Sequence, residues 1–283
     1  MPEAFAVIGH PLGHTMSPYI HKALFALSGR APDYDPLDIP PEELAARMPG
    51  LNALRGYNIT IPHKQKIIPL LDRLDESAAR YGAVNLVDNG RKRVGYNTDA
   101  YGFLKALETA GIPVSGRVLL CGCGGVARTM AYECLSAGCT LTFSVLESDF
   151  PAAEALSAEL RQAFPAAQIA IRQIGRFEED CDLLINATPV GMYPKTEAMP
   201  VSRDQIARAG HVFDAVYNPR KTALRETAEA LGVPHGEGMA MLVWQAARAH
   251  EIWYGARFSN EQIADIIDGA YAEMDRLFAE SRA

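Results

Sequence analysis

The feature that most constrains the fold is a glycine-rich turn, Gly122-Cys-Gly-Gly-Val-Ala127, which joins an apolar run to a helix-forming segment. The run at 117–121 predicts a buried strand, and residues 126–137 predict a helix that stops at Gly138. Glycines at such a turn let the backbone approach a pyrophosphate, and the helix N-terminus stabilises its charge. The pattern G-x-G-x-x-A in this context therefore predicts a dinucleotide site, with a turn that serves packing alone as the alternative.

Strand and helix patterns alternate along the whole chain, without a repeat or a low-complexity tract. This alternation predicts an α/β protein with mostly parallel sheets. Strands are predicted at 5–9, 56–61, 83–87, 93–96, 117–121, 141–145, 169–172, 183–186 and 212–215. Helices are predicted at 18–27, 100–110 and 126–137, between the later strands, and as a pair from about residue 238 to the end.

The order of these elements predicts two domains. Residues 1–100, completed by the C-terminal helices at 239–283, are predicted to form an N-terminal α/β domain. Residues 101–238 form an inserted Rossmann-type, doubly wound domain that holds the nucleotide. Residues 112–116 have the composition of a linker, and residues 88–91 (Asp-Asn-Gly-Arg) predict a hairpin turn between two strands.

Composition excludes several classes of protein. The formal net charge of −7 argues against nucleic acid as a partner, because binding it usually needs a basic face. No apolar run approaches the roughly 18 residues that span a bilayer, and the first residues do not resemble a signal peptide. His10 and His14 lack a third ligand at a sensible spacing, so we read them as loop residues and expect no metal site. Five cysteines without C-x-x-C spacing are expected to be reduced, buried thiols of a cytoplasmic protein: Cys121, Cys123, Cys134, Cys139 and Cys181.

Polar residues gather near strand ends, where α/β proteins bind ligands. The first group is Thr15-Met-Ser17-Pro18, in which Ser17 is predicted to cap a helix that begins with Pro18. Capping alone would explain Ser17. Two hydroxyl groups beside a helix N-terminus would also hold an anion such as a carboxylate.

Three further groups follow along the chain. Asn58 and Thr60 share one face of a strand on which Tyr57, Ile59 and Ile61 form the other, apolar face. Lys64 follows this strand, Asn85 interrupts an apolar segment, and Asp99 ends an Asn-Thr-Asp sequence at a helix start. Each has an ordinary alternative: a solvated lysine, a buried structural amide and a helix cap.

The segment that follows the second strand of the nucleotide domain bears on cofactor choice. An acidic residue there favours NAD through the ribose 2′-hydroxyl, whereas a basic residue favours NADP. No lysine or arginine occurs between Arg128 and Arg161, while Glu147 and Asp149 lie close to the predicted strand end. This pattern favours NAD over NADP, the alternative being that the acids are simply solvated.

Together these groups form an ordered series of motifs: T-x-S-P, N-I-T-I-P-x-K, G-A-V-N, N-T-D, G-x-G-G, N-A-T-P-x-G-M (186–192), D-A-V-Y-N-P (214–219) and G-M-x-M-L-V-x-Q-A (238–246). In this order they resemble the shikimate dehydrogenase family over nearly the whole chain. The resemblance implies a three-layer α/β substrate domain and a Rossmann domain with a cleft between them. It also implies reversible hydride transfer between a nicotinamide cofactor and the 3-hydroxyl or 3-ketone of shikimate, a step of chorismate and aromatic amino-acid biosynthesis.

The resemblance also assigns roles to residues. Lys64 matches the catalytic lysine and Asp99 its partner, while Thr15 and Ser17 match the pair that holds the substrate carboxylate. The residues matched to the ring hydroxyls of the substrate are Thr60, Asn85, Tyr217 and Gln245. The positions matched to the cofactor are Gly122, Gly124, Gly125, Val126, Ala127, Thr188, Ala215 and Gly238, with Ser144 and Glu147 at the ribose end.

The chain departs from the family pattern at three places. Thr15 stands where a serine is usual, which narrows the substrate site by one methyl group, and Ala100 stands where a glycine is usual. Residues 144–146 (Ser-Val-Leu) replace the Asn-Arg-Thr clamp for the phosphate of NADP. The cofactor is therefore expected to be NADP or NAD, with NAD favoured.

Other functions stay open at this point. The nearest is a quinate/shikimate dehydrogenase, or a paralogue that acts on a modified shikimate with NAD. A non-catalytic, shikimate-binding regulatory protein would not need Lys64 and Asp99 as a pair. A methylene-tetrahydrofolate dehydrogenase-like enzyme shares the two-domain plan but fits the T-x-S-P and N-T-D motifs poorly. The expected partner is a small molecule, with no nucleic acid or membrane, and the expected assembly is a monomer or homodimer.

Overall fold

The computed structural model describes residues 3–13 and 15–280. These residues form two compact units, one from those up to 102 together with those from 242 onward, and the other from residues 103–241. His14, which the sequence places in a loop, lies outside the described residues.

Strands and helices alternate through both units. The strands of the first unit are β1 (Ala4–Gly9), β2 (Asp33–Asp38), β3 (Gly56–Ile59), β4 (Arg73–Leu74), β5 (Leu86–Asn89) and β6 (Arg93–Tyr96). Those of the second are β7 (Arg117–Cys121), β8 (Thr140–Val145), β9 (Ile169–Gln173), β10 (Cys181–Asn186), β11 (Ala209–Asp214) and β12 (His235–Glu237). The helices are α1 (Ser17–Leu27), α2 (Leu44–Leu51), α3 (His63–Lys66), α4 (Glu76–Tyr81), α5 (Asp99–Thr109), α6 (Gly125–Ser136), α7 (Phe150–Ala163), α8 (Arg203–Ala207), α9 (Ala223–Ala230), α10 (Gly238–Tyr254) and α11 (Asn260–Glu280).

The sheet of the first unit has the order β2-β1-β3-β5-β6-β4. Strand β1 runs parallel to both of its neighbours, and β5 pairs antiparallel with β3 and with β6. Alternate residues of β1 enter two cores, Ala6 and Ile8 on one face and Phe5 and Val7 on the other. Burial on both faces explains the continuous apolar run from which this strand was predicted.

Local details of the first unit differ from the prediction. The hairpin is confirmed, but β5 begins at Leu86 and continues through Asn89, so the turn lies two residues later than expected. Ile61 does not share a buried face with Tyr57 and Ile59, because β3 ends at Ile59 and the Ile61 side chain is 71% exposed. The chain turns here, since the His63 N–H donates to the Thr60 carbonyl at 3.0 Å.

The sheet of the second unit is parallel throughout, with the order β12-β11-β10-β7-β8-β9. When the strands are numbered within this unit and counted from the β9 edge, their order is 3-2-1-4-5-6. This is the strand order of dinucleotide-binding folds. The predicted doubly wound fold is thus confirmed. Its switch point lies between β7 and β10, where ligands of such sheets bind beyond the carboxyl ends of the strands. Residues 112–116 connect α5 to β7 without regular structure, inside this unit.

Membrane-spanning helices and clustered metal ligands are both missing from the described part of the chain. No helix among residues 3–13 and 15–280 combines the length and apolar character needed to cross a membrane. The same residues hold no group of three or more histidine, cysteine, aspartate or glutamate side chains placed to bind a metal ion.

Candidate active site

A short ion pair joins the ends of two elements of the first unit. Lys64 lies in α3, directly after β3, and Asp99 is the first residue of α5, directly after β6. The Lys64 Nζ is 2.6 Å from Asp99 Oδ2, and the two side chains are only 21% and 12% exposed. Lys64 is therefore not a solvated surface lysine. The Asp99 N–H donates to Asn97 Oδ1 at 3.0 Å. The Asn97 side chain therefore accepts a hydrogen bond from the first turn of α5, and the Asp99 carboxylate is left to bind other groups.

Asn85 holds the second oxygen of this carboxylate. It is 3% exposed, and its Nδ2 donates to Asp99 Oδ1 at 2.7 Å. Asp99 thus accepts one hydrogen bond from Lys64 and another from Asn85, which fixes the plane of the carboxylate. A buried amide with its partners satisfied in this way is rigid, so the Lys64 ammonium is held in one position.

Two more polar residues complete this network. Gln245 of α10 has its Oε1 3.2 Å from Thr98 Oγ1 and 3.4 Å from Asn85 Nδ2. Thr98 is 1% exposed, and its N–H donates to Asn85 Oδ1 at 2.8 Å. Thr98 was not predicted as a site residue, although it stands inside the N-T-D motif beside Asp99.

The predicted hydroxyl pair is brought together at the start of α1. Thr15 Oγ1 lies 3.3 Å from Ser17 Oγ and accepts the Ser17 N–H at 3.3 Å. The prediction that Ser17 caps the helix is wrong, because the N-cap is Met16, which forms no side-chain cap bond, and Ser17 is already helical. Both hydroxyls are half-buried beside a helix N-terminus, an arrangement suited to an anion.

Thr60 follows β3 and is half-buried, with its N–H bonded to the Ile8 carbonyl at 2.9 Å. Asn58, two residues earlier, is 5% exposed and accepts a 2.8 Å hydrogen bond from the Tyr34 hydroxyl. Of these two polar residues of the predicted strand, Asn58 is engaged in the core, whereas Thr60 lies just past the strand end.

In the second unit the glycine-rich turn forms an open cradle. Gly122 has φ +99°, and a β-carbon there would lie 3.0 Å from Thr188 Cγ2, so a side chain would be strained as well as crowded. Nothing lies within 4 Å of the β-carbon positions of Gly124 and Gly125 at the start of α6. This open space at a helix N-terminus fits a pyrophosphate. Val126 and the fully buried Ala127 continue the turn into the helix.

A buried pair orders the neighbouring loops at the carboxyl ends of β10 and β11. Asn186 Nδ2 donates to Asp214 Oδ1 at 2.9 Å, and both residues are fully buried. Asn186 Oδ1 accepts hydrogen bonds from the N–H and the hydroxyl of Thr188, at 3.0 and 2.7 Å. Asp214 accepts from the Val216 N–H at 3.0 Å and from the Thr222 hydroxyl at 2.5 Å. The pair therefore holds the loop of Thr188 and the loop that follows β11, a role that was not predicted from the sequence.

Three more predicted residues lie in these loops or pack against them. Ala215 directly follows β11, and its N–H donates to the Asn186 carbonyl at 2.9 Å. Gly238 packs against Ala215 so closely that a β-carbon would lie 2.2 Å from the Ala215 carbonyl oxygen. Tyr217 is half-buried, and burial raises the pKa of its phenol.

The residues at the predicted ribose end differ in exposure. Ser144 is fully buried inside β8, so its hydroxyl does not face solvent. Glu147 and Asp149 are exposed in the turn that follows. The Arg128 guanidinium, on α6, forms an ion pair with Glu159 of α7.

Comparison with known proteins agrees with this geometry. The family model described as the shikimate dehydrogenase substrate binding domain matches residues 7–87. A shikimate dehydrogenase (NADP(+)) from Moorella thermoacetica is 38% identical over 285 residues, covering 98% of this chain and 92% of its own length. The chain belongs to the shikimate dehydrogenase family.

Solved structures support the same family. The shikimate 5-dehydrogenase of Thermus thermophilus, in complex with NADP(H) and shikimate, superposes with a TM-score of 0.82 at 32% identity, covering 95% of this chain and 99% of that chain. The shikimate 5-dehydrogenase of Listeria monocytogenes, in complex with shikimate and NAD, superposes with a TM-score of 0.83 at 30% identity, covering 94% and 96%. The predicted family and fold class are confirmed. Solved relatives carry either nicotinamide cofactor.

Proposed function

We propose that this member of the shikimate dehydrogenase family catalyses reversible oxidation of the 3-hydroxyl of shikimate to the 3-ketone, with Lys64 and Asp99 as its catalytic residues. The observation that carries the proposal is the 2.6 Å Lys64–Asp99 pair, braced by Asn85 and shielded from solvent. The nicotinamide cofactor, when bound, accepts or supplies the hydride. The protein must then handle the proton and the charge on oxygen.

Lys64 suits both tasks. In the oxidation direction its neutral amine takes the hydroxyl proton and becomes an ammonium, and in the reduction direction that ammonium returns the proton to the developing alkoxide. The positive charge also stabilises the alkoxide in a site from which water is partly excluded. Asp99 cannot replace Lys64 as the donor while both of its oxygens accept hydrogen bonds, so its role is to orient the ammonium.

We assign substrate binding to the first unit, and nucleotide binding to the second. Thr15 and Ser17 would bind the carboxylate of shikimate through their adjacent hydroxyls. The remaining residues are assigned by group. Those for the ring hydroxyls are Thr60, Asn85 and Gln245. Tyr217 is assigned to the substrate by the family resemblance alone. Those for the pyrophosphate are Gly122, Gly124 and Gly125, where the structure leaves open space at the start of α6. Those that support or line the rest of the cofactor site are Val126, Ala127, Thr188, Ala215 and Gly238.

We further propose that the chain uses NAD at least as well as NADP. The exposed Glu147 follows β8 closely and would accept a hydrogen bond from a ribose 2′-hydroxyl but repel a 2′-phosphate. Arg128, the last cation before Arg161, is engaged by Glu159. Ser144 contributes no side-chain contact in this proposal, since it is buried. The Moorella thermoacetica relative is named for NADP(+), so efficient use of NAD would distinguish this chain from it.

A matrix of shikimate and quinate against NAD and NADP, followed by nicotinamide absorbance, tests both proposals. We expect turnover with shikimate, and a kcat/KM with NAD equal to or above that with NADP. No turnover of either ring acid with either cofactor would refute the enzyme assignment. A tenfold or greater preference for NADP would refute the cofactor assignment alone.

A charge reversal sharpens the cofactor arm. Glu147→Arg should shift the ratio of kcat/KM values at least tenfold towards NADP, because it replaces repulsion of the 2′-phosphate with attraction. Glu154→Arg is the matched control, since it makes the same charge change at an exposed position on α7. An equal shift in both variants would show that only the overall charge matters.

A quinate/shikimate dehydrogenase is the second candidate, favoured by the methyl group of Thr15 beside Ser17. This methyl narrows the carboxylate site and would alter the choice between planar and puckered rings. Thr15→Ser should raise kcat/KM for the disfavoured ring acid relative to the favoured one. A kcat/KM for quinate above that for shikimate in the unaltered protein would make quinate the preferred substrate.

A further inference from the structure

Thr98 lies in the connection between β6 and α5 and is almost completely buried. Its hydroxyl oxygen is 3.0 Å from Asn85 Nδ2, 3.3 Å from Asn85 Oδ1 and 3.2 Å from Gln245 Oε1. Asn85 and Gln245 are 160 residues apart in the chain. Thr98 therefore contacts both amides, which also approach each other directly, with Asn85 Nδ2 3.4 Å from Gln245 Oε1.

The donors and acceptors at Asn85 can be counted. Its Nδ2 has two hydrogens, and the nearest acceptors are Asp99 Oδ1 at 2.7 Å and Thr98 Oγ1 at 3.0 Å. Its Oδ1 already accepts the Thr98 N–H at 2.8 Å. The Thr98 hydroxyl thus accepts from Asn85, and its single hydrogen is available for another acceptor.

That hydrogen goes to Gln245 Oε1 at 3.2 Å, because Thr98 cannot efficiently accept from the Asn85 amide and donate to the same amide together. One hydrogen of Gln245 Nε2 donates to the Leu242 carbonyl at 2.9 Å. The other has no partner among the residues that the structure describes. Gln245 is left with one N–H donor to offer, just as Lys64 keeps two donors beyond its bond to Asp99.

We infer that Thr98 is a positioning residue: its hydroxyl fixes the amide orientation of Gln245, so that Nε2 rather than Oε1 is presented to a ring hydroxyl of the substrate. The inference rests on the proposed function for the identity of that substrate. A residue without the hydroxyl would leave Gln245 Oε1 with only the longer, 3.4 Å contact to Asn85 Nδ2, which holds the amide less firmly in this orientation.

The matched variants are Thr98→Val, which removes the hydroxyl at nearly constant volume, and Thr98→Ser, which keeps it. We expect Thr98→Val to raise KM for shikimate about tenfold, the size of one neutral hydrogen bond, with kcat changed less than threefold. KM for the nicotinamide cofactor should stay within about twofold, and Thr98→Ser should restore KM for shikimate to within about twofold. Equal losses in Val and Ser variants, or a fall in kcat alone, would overturn the inference.

A double-mutant cycle shows whether Thr98 acts through Gln245. In the Gln245→Ala background, Thr98→Val should change KM for shikimate by less than about twofold, because the amide that it orients is gone. If Thr98→Val multiplies KM by the same factor in both backgrounds, Thr98 acts by another route. Thr98→Ala replaces Thr98→Val throughout if circular dichroism shows that the valine variant does not fold.

A readout without substrate separates this inference from the proposed function. The side-chain amide resonances of Gln245 in ¹⁵N-labelled protein are assigned by their loss in Gln245→Ala. They should shift or broaden in Thr98→Val and stay in place in Thr98→Ser. Unchanged resonances in Thr98→Val would overturn the positioning role, whether or not the unaltered protein oxidises shikimate.

Discussion

Lys64 forms its ion pair with a single carboxylate, and we expect replacement of Lys64 to affect mainly turnover. Lys64→Ala should lower kcat about a thousandfold, within the roughly 10² to 10⁴ range of a general acid–base group, with a smaller change in KM for shikimate. The measurement is steady-state turnover in both directions.

Lys66→Ala is the matched control, because Lys66 is an exposed lysine of the same short helix, α3. It should retain turnover within about twofold of the unaltered protein. Near-normal turnover of Lys64→Ala would show that another group handles the proton.

Single residues were predictable where a short motif places them at a strand end. Short motifs singled out Lys64, Asp99 and Asn85, and the structure brings these three side chains together. The partners of buried polar groups were not, because hydrogen bonds join residues that are distant in the chain: Asn186 and Asp214 are 28 residues apart, and Asn85 and Gln245 are 160 apart. The buried position of Ser144 was also missed, since a serine at a strand end looks the same in sequence whether it faces inward or outward.

Thr222 stabilises helix α9, which follows the loop after β11 in the second unit. Its hydroxyl donates to the buried Asp214 and also caps α9, accepting the Arg225 N–H at 3.3 Å. Thr222→Val should lower the free energy of unfolding by about 2 to 3 kcal/mol, since it removes a cap and one donor to a buried carboxylate. Urea denaturation measures this change.

Thr222→Ser keeps the hydroxyl and should lose less than about 1 kcal/mol. If the serine variant is as unstable as the valine variant, then packing of the methyl group outweighs both hydrogen bonds.

Gly238 sets the closest approach between two elements of the second unit, the end of β11 and the start of α10. A β-carbon would lie 2.2 Å from the carbonyl oxygen and 2.5 Å from the carbonyl carbon of Ala215, and neither backbone atom can move cheaply. Gly238→Ala should therefore lower the free energy of unfolding by about 3 kcal/mol.

The control is Gly50→Ala in α2, where nothing lies within 4 Å of the added carbon. Since alanine favours helix more than glycine does, it should stabilise by up to about 1 kcal/mol. Thermal and urea unfolding of both variants check the pair. Equal stability of Gly238→Ala and the unaltered protein would mean that the loop after β11 can yield.

Elements with a strong apolar pattern were predicted, and weakly patterned elements were not. Strand β2 has the sequence Asp-Tyr-Asp-Pro-Leu-Asp, and only Tyr34 is buried, so neither alternation nor a continuous apolar run marks it. It is a strand because all six residues pair with β1 at the edge of the sheet, where proline is tolerated. β4 and β12, with two and three residues, are too short to carry a pattern.

At the scale of the whole molecule, the chain leaves its first unit at residue 102 and returns to it at residue 242. A buried histidine pair connects the early and late parts of that unit. His21 of α1 and His250 of α10 are fully buried, with Nδ1 of the first 3.1 Å from Nε2 of the second. His21 Nε2 and His250 Nδ1 have no hydrogen-bond partner among the described residues. Aromatic rings surround the pair, including Phe25, Tyr34 and Trp253.

This environment favours the neutral form of both rings. Burial, reinforced by the neighbouring His250, lowers the pKa of His21 well below 6.5, and burial with the charge of Arg30 lowers the pKa of His250 to about 3. Both pKa values are depressed relative to the unfolded chain, so the unfolded chain binds more protons below about pH 6.5. The contribution of the pair to stability is therefore complete above about pH 6.5 and falls as the pH drops below it.

We expect each histidine to remove about 2 kcal/mol of folding free energy between about pH 7 and pH 5, because one pH unit is worth about 1.4 kcal/mol per proton. His250→Gln keeps a partner for His21 Nδ1 but cannot titrate at this position. The free energy of unfolding of this variant should therefore fall by about 2 kcal/mol less than that of the unaltered protein over this interval. Phe25→Leu, in the same aromatic cluster, is the control. It should lower the free energy of unfolding by an amount that does not change with pH. Urea denaturation at about pH 7, 6 and 5 compares the three proteins. If the free energy of unfolding falls equally with pH in His250→Gln and in the unaltered protein, this histidine pair does not make the first unit sensitive to acid.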